Sequence, residues 1–188
     1  MEFIFIRHGH GEHLNNYPDR LNTLHPSLTE YGKFQVAQLR DHIKIEPEDL
    51  ILVSPTKRTI ETATILTQGM DFIISPLVGP RMFPQNPEFP DLICDRILSK
   101  TEILDLYGDT EVLDFNLDCW REGVNRIEQD VFEGYAEQLV EWTRKSGKKT
   151  FIISHDGTIT NYRILLGEKG LTRNDFLGEA GVYQMKIL

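Results

Sequence analysis

Histidine and arginine side chains follow three of the short apolar runs in this sequence, and together they have the chemistry of an anion site. The three groups are, in chain order, Arg7-His8-Gly9, Ser54 with Arg58, and Ser154-His155-Asp156-Gly157. Guanidinium groups pair bidentately with phosphate oxygens, and an imidazole acts as a nucleophile or a hydrogen-bond donor. If the three groups converge, they predict a pocket for a phosphate dianion.

The elements that must position these groups follow from the apolar pattern. Short β-rich runs predict buried strands at 3–6, 50–53, 72–74 and 151–153, and 182–187 is a candidate closing strand. Apolar residues spaced three and four apart predict helices at 28–43, 56–67, 124–145 and 158–166. Alternating strands and helices indicate a mostly parallel sheet, which binds ligands at the carboxyl ends of its strands. All three polar groups are therefore expected in one crevice.

Local signals add detail to this outline. Ser54-Pro55 predicts a helix that starts directly after its strand, and Ser99 with Glu102 predicts a capping box for a helix toward Tyr107. Five prolines between positions 76 and 90 predict an ordered loop. We interpret the chain as a single domain, residues 1–188, with a proline-rich insert at about 76–120.

Composition limits the classes of partner. Apolar residues make up 40% and charged residues 26% of the chain, an ordinary globular balance, and the formal charge of -9 argues against nucleic acid. No apolar run is long enough to cross a bilayer, and the N-terminal run lacks the pattern of a signal peptide. Cys94 and Cys119 fit neither a disulfide framework nor a metal pair. We expect a cytoplasmic protein that binds a small phosphorylated metabolite, without nucleic acid, membrane or cofactor; nothing in the sequence indicates an oligomeric state.

In order and spacing, these motifs resemble the histidine phosphatase, or phosphoglycerate-mutase-like, superfamily. The matching residues are Arg7-His8-Gly9, residues 54–63 from Ser54 to Ala63, Ser154-His155-Asp156-Gly157, and Leu28-Thr29 with Gly32, Gln35 and Leu39. The resemblance implies a three-layer α/β/α sandwich. It also implies that His8 attacks phosphorus to give a phosphohistidine, while Arg7, Arg58 and His155 hold the phosphoryl oxygens.

The proton donor is where the sequence departs from that family. A general acid must protonate the leaving alkoxide, and many relatives carry a glutamate shortly after the third strand. Here that stretch contains Arg81 but no glutamate. Asp156 is the preferred donor, since an aspartate follows the histidine in the acid-phosphatase branch, and Glu88 on the proline-rich loop is the alternative.

Further residues are predicted to bind substrate. Gly9 and Gly157 would let the backbone approach the anion, and Arg81 would either meet the substrate from the loop or simply lie on that loop. Within the family, residues 7–13 with Asn15 resemble most a plant and fungal mutase-like subgroup, although Asn15 stands one place later than in that motif. Cys94-Asp95-Arg96 and Arg121-Glu122 also resemble this subgroup.

Hydrolysis of a small phosphomonoester is the preferred function, and three alternatives stay open. A mutase needs a lid and a basic substrate pocket, yet the chain is shorter than typical mutases of the family and the insert is poor in lysine and arginine. A phospho-ligand binding module would explain the missing glutamate. A metallohydrolase would use His8, His10 and His13, because closely spaced histidines can bind zinc.

Overall fold

The computed structural model describes residues 1–187 and has a five-stranded sheet at its centre. Its strands are β1 (Glu2–Arg7), β2 (Leu50–Val53), β3 (Ile73–Ile74), β4 (Thr150–Ser154) and β5 (Val182–Lys186), and their spatial order is β3-β2-β4-β1-β5. The first four pair in parallel, whereas β5 runs antiparallel to β1. The carboxyl ends of β1 to β4 therefore lie along one edge of the sheet.

Five α-helices cover this sheet. They are α1 (Glu30–Arg40), α2 (Lys57–Thr67), α3 (Lys100–Tyr107), α4 (Gln129–Ser146) and α5 (Asp156–Leu165). Within residues 1–187, none of the helices has the length and apolar content needed to cross a membrane.

Two hydrophobic clusters lie between the sheet and its helices, one on each face of the sheet. Alternate residues of β1 point to opposite faces, with Phe3 and Phe5 in one cluster and Ile4 and Ile6 in the other. The first cluster includes apolar residues of α4 and α5, and the second includes residues of α1, α2 and α3. Helices on both faces of a mostly parallel sheet make the three-layer α/β/α sandwich, so the predicted fold class is confirmed.

The boundaries of two helices differ from the sequence expectation in ways that affect the site. Thr56, and not Ser54, occupies the N-cap position of α2, because Ser54 and Pro55 form the turn that leaves β2. Helix α5 starts at Asp156, two residues earlier than predicted, with His155 at its N-cap. The helix predicted after Ser99 is present with both hydrogen bonds of its capping box.

The segment predicted as the insert is mostly irregular. Between residues 76 and 120 it contains α3 and two 3-10 turns, Pro76–Val78 and Ile93–Asp95. Pro76 begins the first of these turns, so the proline-rich loop is less irregular than predicted at its start. The second turn brings Cys94 and Asp95 to the sheet edge, where they meet the side chain of Arg58.

Candidate active site

Strand register brings the three polar groups together. Arg7 at the end of β1 pairs with Ser154 at the end of β4, and Val53 at the end of β2 pairs with Ile153. The residues that follow these strands therefore lie side by side above the sheet. They line a cavity of about 420 Å³ whose inner end is formed by Arg7, His8, Arg58, His155 and Asp156.

The His8 imidazole is held with one nitrogen available to a substrate. Its Nδ1 lies 2.7 Å from the carbonyl oxygen of Gly9, which can only accept, so Nδ1 carries the proton. The Nε2 atom then has a lone pair and accepts from Nε of Arg58 at 3.3 Å. His8 is only 3% exposed. A ring fixed in this tautomer is arranged for attack by Nε2 on an electrophile in the cavity.

Arg58 connects both histidines to the irregular segment. It belongs to the first turn of α2, is 1% exposed, and also donates from Nη2 to His155 Nδ1 at 3.2 Å. Its other guanidinium hydrogen bonds go to the Cys94 carbonyl oxygen at 2.7 Å and to Asp95 Oδ1 at 3.3 Å. Four contacts leave the guanidinium group little rotational freedom, so its positive charge is fixed beside His8.

His155 is oriented by a partner on each ring nitrogen. Because the guanidinium of Arg58 can only donate, His155 Nδ1 accepts, and Nε2 donates to the Ser54 hydroxyl at 2.8 Å. The two imidazole rings of His8 and His155 lie with centroids 5.2 Å apart. Ser54, which the sequence analysis interpreted as a helix-capping residue, instead accepts a hydrogen bond from His155 and fixes the orientation of its ring.

The electrostatic environment keeps both histidines neutral. Burial, reinforced by the positive charges of Arg58 and Arg7, lowers the pKa of His8 well below its ordinary value. Burial and the charge of Arg58 lower the pKa of His155 in the same direction. Helices α2 and α5 also begin at this cavity, and helix N-termini favour anions. The site thus combines a neutral, oriented imidazole with positive groups that can stabilise an anion such as a phosphoryl group.

Arg7 and Asp156 form the second charged pair of the cavity. Arg7 Nη2 lies 3.0 Å from Asp156 Oδ2, and its Nη1 donates to the Leu177 carbonyl oxygen at 2.7 Å. The other Asp156 oxygen accepts from the backbone N–H of Gly157 at 2.6 Å. Asp156, the residue that the sequence analysis preferred as proton donor, therefore lines the cavity, and each of its carboxylate oxygens has a hydrogen-bond or ion-pair partner.

The two glycines have a packing role that differs from the predicted one. A Cβ atom at Gly9 would lie 2.6 Å from the Gly32 carbonyl oxygen of α1, and one at Gly157 would lie 2.2 Å from the Arg81 carbonyl oxygen. Both positions thus need glycine because another backbone segment passes there. Gly157 still lines the cavity, but its missing side chain makes room for protein and not for an anion.

Three other predicted site residues, Arg81, Asn15 and Glu88, lie outside the inner end of the cavity. The Arg81 guanidinium donates to the carbonyl oxygens of Val124 and Ile127 and to Gln129, and it stacks over the Phe132 ring at 4.2 Å. Arg81 lines the cavity, but these interactions direct its charge into the fold. The residues that line the cavity do not include Asn15 or Glu88, and Glu88 is exposed on the loop.

The three histidines of the metallohydrolase alternative do not form one cluster, because His10 is directed away from His8 and His13. His10 Nδ1 lies 3.0 Å from the Thr29 hydroxyl at the start of α1, and its ring packs edge-on against Tyr31. Across residues 1–187, no group of three or more histidine, cysteine, aspartate or glutamate side chains has the geometry to hold a metal ion. The arrangement gives no support to zinc binding by His8, His10 and His13.

His13 and Asp95 are site residues that the sequence analysis did not assign to phosphate chemistry. His13 lines the cavity 5.7 Å from His8 between ring centroids, is 7% exposed, and its Nδ1 has no hydrogen-bond partner among residues 1–187. Asp95 lines the same cavity, and burial raises its pKa. The sequence could have indicated His13 as a site residue, because it follows His8 by only five residues. The place of Asp95 in the site depends on the path of an irregular segment, which the sequence pattern does not describe.

Comparison with protein families agrees with this geometry. Residues 3–79 match the model of the histidine phosphatase superfamily, branch 1. The match includes Arg7, His8 and Arg58 and ends before His155. A search of curated proteins finds no match. The superfamily resemblance is confirmed over the matched region, while the plant and fungal mutase-like subgroup receives no support.

Solved structures of phosphatases share the fold across almost the whole chain. Ecdysone phosphate phosphatase from Bombix mori, in complex with tungstate, has a TM-score of 0.68 at 14% identity and covers 98% of this chain and 88% of its own. The alpha-ribazole phosphatase from Shigella flexneri has a TM-score of 0.62 at 18% identity, covering 100% and 91%. A mutant phosphoserine phosphatase from Entamoeba histolytica, in complex with phosphoserine, has a TM-score of 0.61 at 19% identity, covering 97% and 89%.

Proposed function

We propose that this histidine phosphatase superfamily chain is a phosphomonoesterase that works through a phosphohistidine on His8. The observation that carries the proposal is the His8 imidazole, which is buried, neutral and fixed with Nε2 toward Arg58. Phosphoryl transfer demands mainly positioning and charge stabilisation from a protein, and this cavity supplies both. The solved phosphatases of the same fold are consistent with it.

The first step transfers the phosphoryl group to the protein. His8 Nε2 forms a bond to phosphorus while the bond from phosphorus to the ester oxygen breaks. Arg7, Arg58 and His155 stabilise the phosphoryl oxygens. A dianion in the cavity favours uptake of a proton from solvent at His155 Nδ1, which then donates to the dianion in place of accepting from Arg58 Nη2. The Nδ1–H bond to the Gly9 carbonyl stabilises the charge that develops on the His8 ring.

The leaving oxygen takes a proton from a carboxylic acid, and we assign this role to Asp156, whose carboxylate is protonated when the phosphoryl dianion replaces it as the partner of Arg7. In the second step water attacks phosphorus, the bond to His8 Nε2 breaks, and the Asp156 carboxylate accepts the proton of that water. Asp95 is the competing carboxyl group, since it lines the same cavity and burial raises its pKa. Glu88 is exposed and does not line the cavity, so it is a weaker candidate for the proton donor than Asp156 or Asp95.

A mutase is the closest alternative, and the cavity gives it less support. A mutase substrate carries a second anionic group that needs a cation of its own. Among residues 1–187, the arginines that line the cavity outside its inner end are Arg81 and Arg173, and both Nη atoms of Arg81 donate to protein acceptors. Hydrolysis of a substrate with one phosphoryl group fits this distribution better.

Hydrolysis of p-nitrophenyl phosphate, with EDTA present throughout, tests the proposal. We expect the wild type to turn over and to form an acid-labile, base-stable phosphoenzyme. We expect His8→Ala to lose activity by roughly 10⁴-fold or more, the scale seen when a catalytic nucleophile is removed. His42→Ala, at an exposed histidine, is the matched control.

The outcomes separate the competing functions. Retained turnover in folded His8→Ala protein would rule out the phosphohistidine. Phosphate binding without turnover in the wild type would favour a binding module. Loss of activity in EDTA, with recovery on added zinc, would favour a metallohydrolase. Transfer of the phosphoryl group to a second substrate in preference to water would favour a mutase.

A further inference from the structure

The cavity above His8 has two chemically different ends. The inner end carries the charged residues already described. The outer wall is formed largely by apolar side chains, among them Tyr17, Leu21, Phe83, Phe89, Leu92 and Phe176. These come from three separate segments of the chain, so their convergence is a property of the fold and not of one hydrophobic run.

The outer wall keeps large apolar side chains in contact with solvent. Tyr17 is 70% exposed and Phe89 is 43% exposed. Contiguous exposed apolar surface is uncommon on a protein unless it binds something. Here the apolar side chains line the same cavity as the phosphoryl site, so the group expected to bind against them is the alcohol part of the substrate.

Two aromatic rings of this wall are tied to the catalytic residues. The rings of Phe83 and Phe176 lie with centroids 6.2 Å apart at an angle of 56°. Phe176 precedes Leu177, whose carbonyl oxygen accepts from Arg7 at 2.7 Å. A group bound against this pair of rings would therefore be at a fixed position relative to the phosphoryl group.

Few cationic groups near this wall are free to hold a polar occupant. Within residues 1–187, no lysine lines the cavity, and both Nη atoms of Arg81 donate to protein acceptors, although its Nε has no partner. The guanidinium of Arg173 lies 5.7 Å from the centre of the Phe176 ring, where it extends the aromatic surface. An apolar group would bind against the aromatic rings without giving up hydrogen bonds to water, whereas a sugar or an amino acid would lose part of its hydration there.

We propose that the alcohol half of the substrate is an apolar ring system, of about the size of naphthalene, bound against Tyr17, Phe83 and Phe176. The cavity volume of about 420 Å³ lies at the lower end of the range for small-molecule sites, which suits one or two fused rings beside a phosphoryl group. This inference rests on the proposed phosphatase function, since it names the substrate class of the same site.

The test compares two substrates with matched leaving groups. Both 2-naphthylmethyl phosphate and glycerol 3-phosphate release a primary alcohol, so a difference in kcat/KM reports binding of the alcohol part. We expect kcat/KM to be at least about 10-fold higher for the naphthylmethyl ester, because an aromatic group gains well over one decade from burial. Equal values, or a preference for glycerol 3-phosphate, would overturn the proposal.

Substitutions in the outer wall test whether these side chains cause the preference for the naphthylmethyl ester. Phe176→Ala and Tyr17→Ala should each reduce the preference for the naphthylmethyl ester several-fold, while the inhibition constant of inorganic phosphate stays unchanged. Phe34→Ala is the matched control, because Phe34 is 56% exposed on α1 and does not line the cavity. A preference that survives both cavity variants would place the ring elsewhere and refute the assigned wall.

Binding of non-hydrolysable phosphonates tests the apolar site independently of the proposed phosphatase activity. Dissociation constants of 2-naphthylmethylphosphonate and methylphosphonate are measured by calorimetry on the wild type. Tighter binding of the naphthyl compound, with no hydrolysis of any ester, would support the apolar site and refute the phosphatase. Hydrolysis of esters, with equal binding of the two phosphonates, would support the phosphatase and refute the apolar site.

Discussion

His13 provides a quantitative test of the site's electrostatics through the stability of the fold. Burial, with Arg58, Arg7 and His10 nearby, lowers the pKa of His13 from 6.5 to about 3. In the unfolded chain His13 returns to its ordinary pKa. Between these two values the unfolded state binds one proton more than the folded state, so the free energy of unfolding falls as the pH drops below 6.5.

The magnitude follows from the width of that pH interval. At pH 4.5 the solution is two pH units below 6.5 and still above the folded pKa of about 3, so His13 alone costs about 2.7 kcal/mol of stability. His13→Gln removes the titrating group and keeps a polar side chain of similar length. Relative to the wild type, the variant should therefore gain about 2.7 kcal/mol between pH 7 and pH 4.5.

Urea unfolding, followed by circular dichroism and tryptophan fluorescence at the two pH values, measures this difference. His42→Gln is the control, because its exposed imidazole is in contact with water in both states. Parallel stability curves for the wild type and His13→Gln would show that His13 is protonated in the folded protein. The assignment of His13 as a neutral imidazole of the phosphoryl pocket would then be wrong.

Three further predictions concern catalysis and packing. Arg58→Lys should reduce kcat/KM for p-nitrophenyl phosphate by roughly 10²-fold or more, because one ammonium group cannot replace a guanidinium that contacts both histidines; activity near wild type would contradict this. Asp156→Asn should slow 2-naphthylmethyl phosphate more than p-nitrophenyl phosphate, whose leaving group needs no proton, and a selective effect in Asp95→Asn alone would transfer the donor role to Asp95. Gly157→Ala should lower the free energy of unfolding by about 1–3 kcal/mol, measured by urea titration, because its Cβ would overlap the Arg81 carbonyl oxygen; a neutral result would show that the loop yields easily.

Several predictions from sequence depended only on local pattern. The strand predicted at 50–53 has those bounds, and the capping box of Ser99 and Glu102 is present. Apolar runs and caps act within a few residues, so a single segment contains the information that determines them. The convergence of Arg7, Arg58 and His155 also followed from sequence, because parallel strands present their carboxyl ends at one edge.

Residues whose partners are distant in sequence could not be assigned in this way. Arg81 had the residue type of an anion ligand, yet its charge is taken by carbonyl oxygens more than forty positions away. Asp95 reaches Arg58 through an irregular segment whose course no periodicity describes. Contacts of this kind arise from packing of the whole chain.

The sequence by itself determined the layers of the fold, the edge of the sheet that carries the candidate site, and the position of His8 at that edge. Only the tertiary structure decided the tautomers of His8 and His155, the packing role of Gly9, and the apolar wall of the cavity. The physical reason is the range of the interactions involved. Backbone hydrogen bonding and apolar periodicity are local, whereas the proton on a ring nitrogen and the shape of a cavity depend on atoms that folding alone brings within a few ångströms.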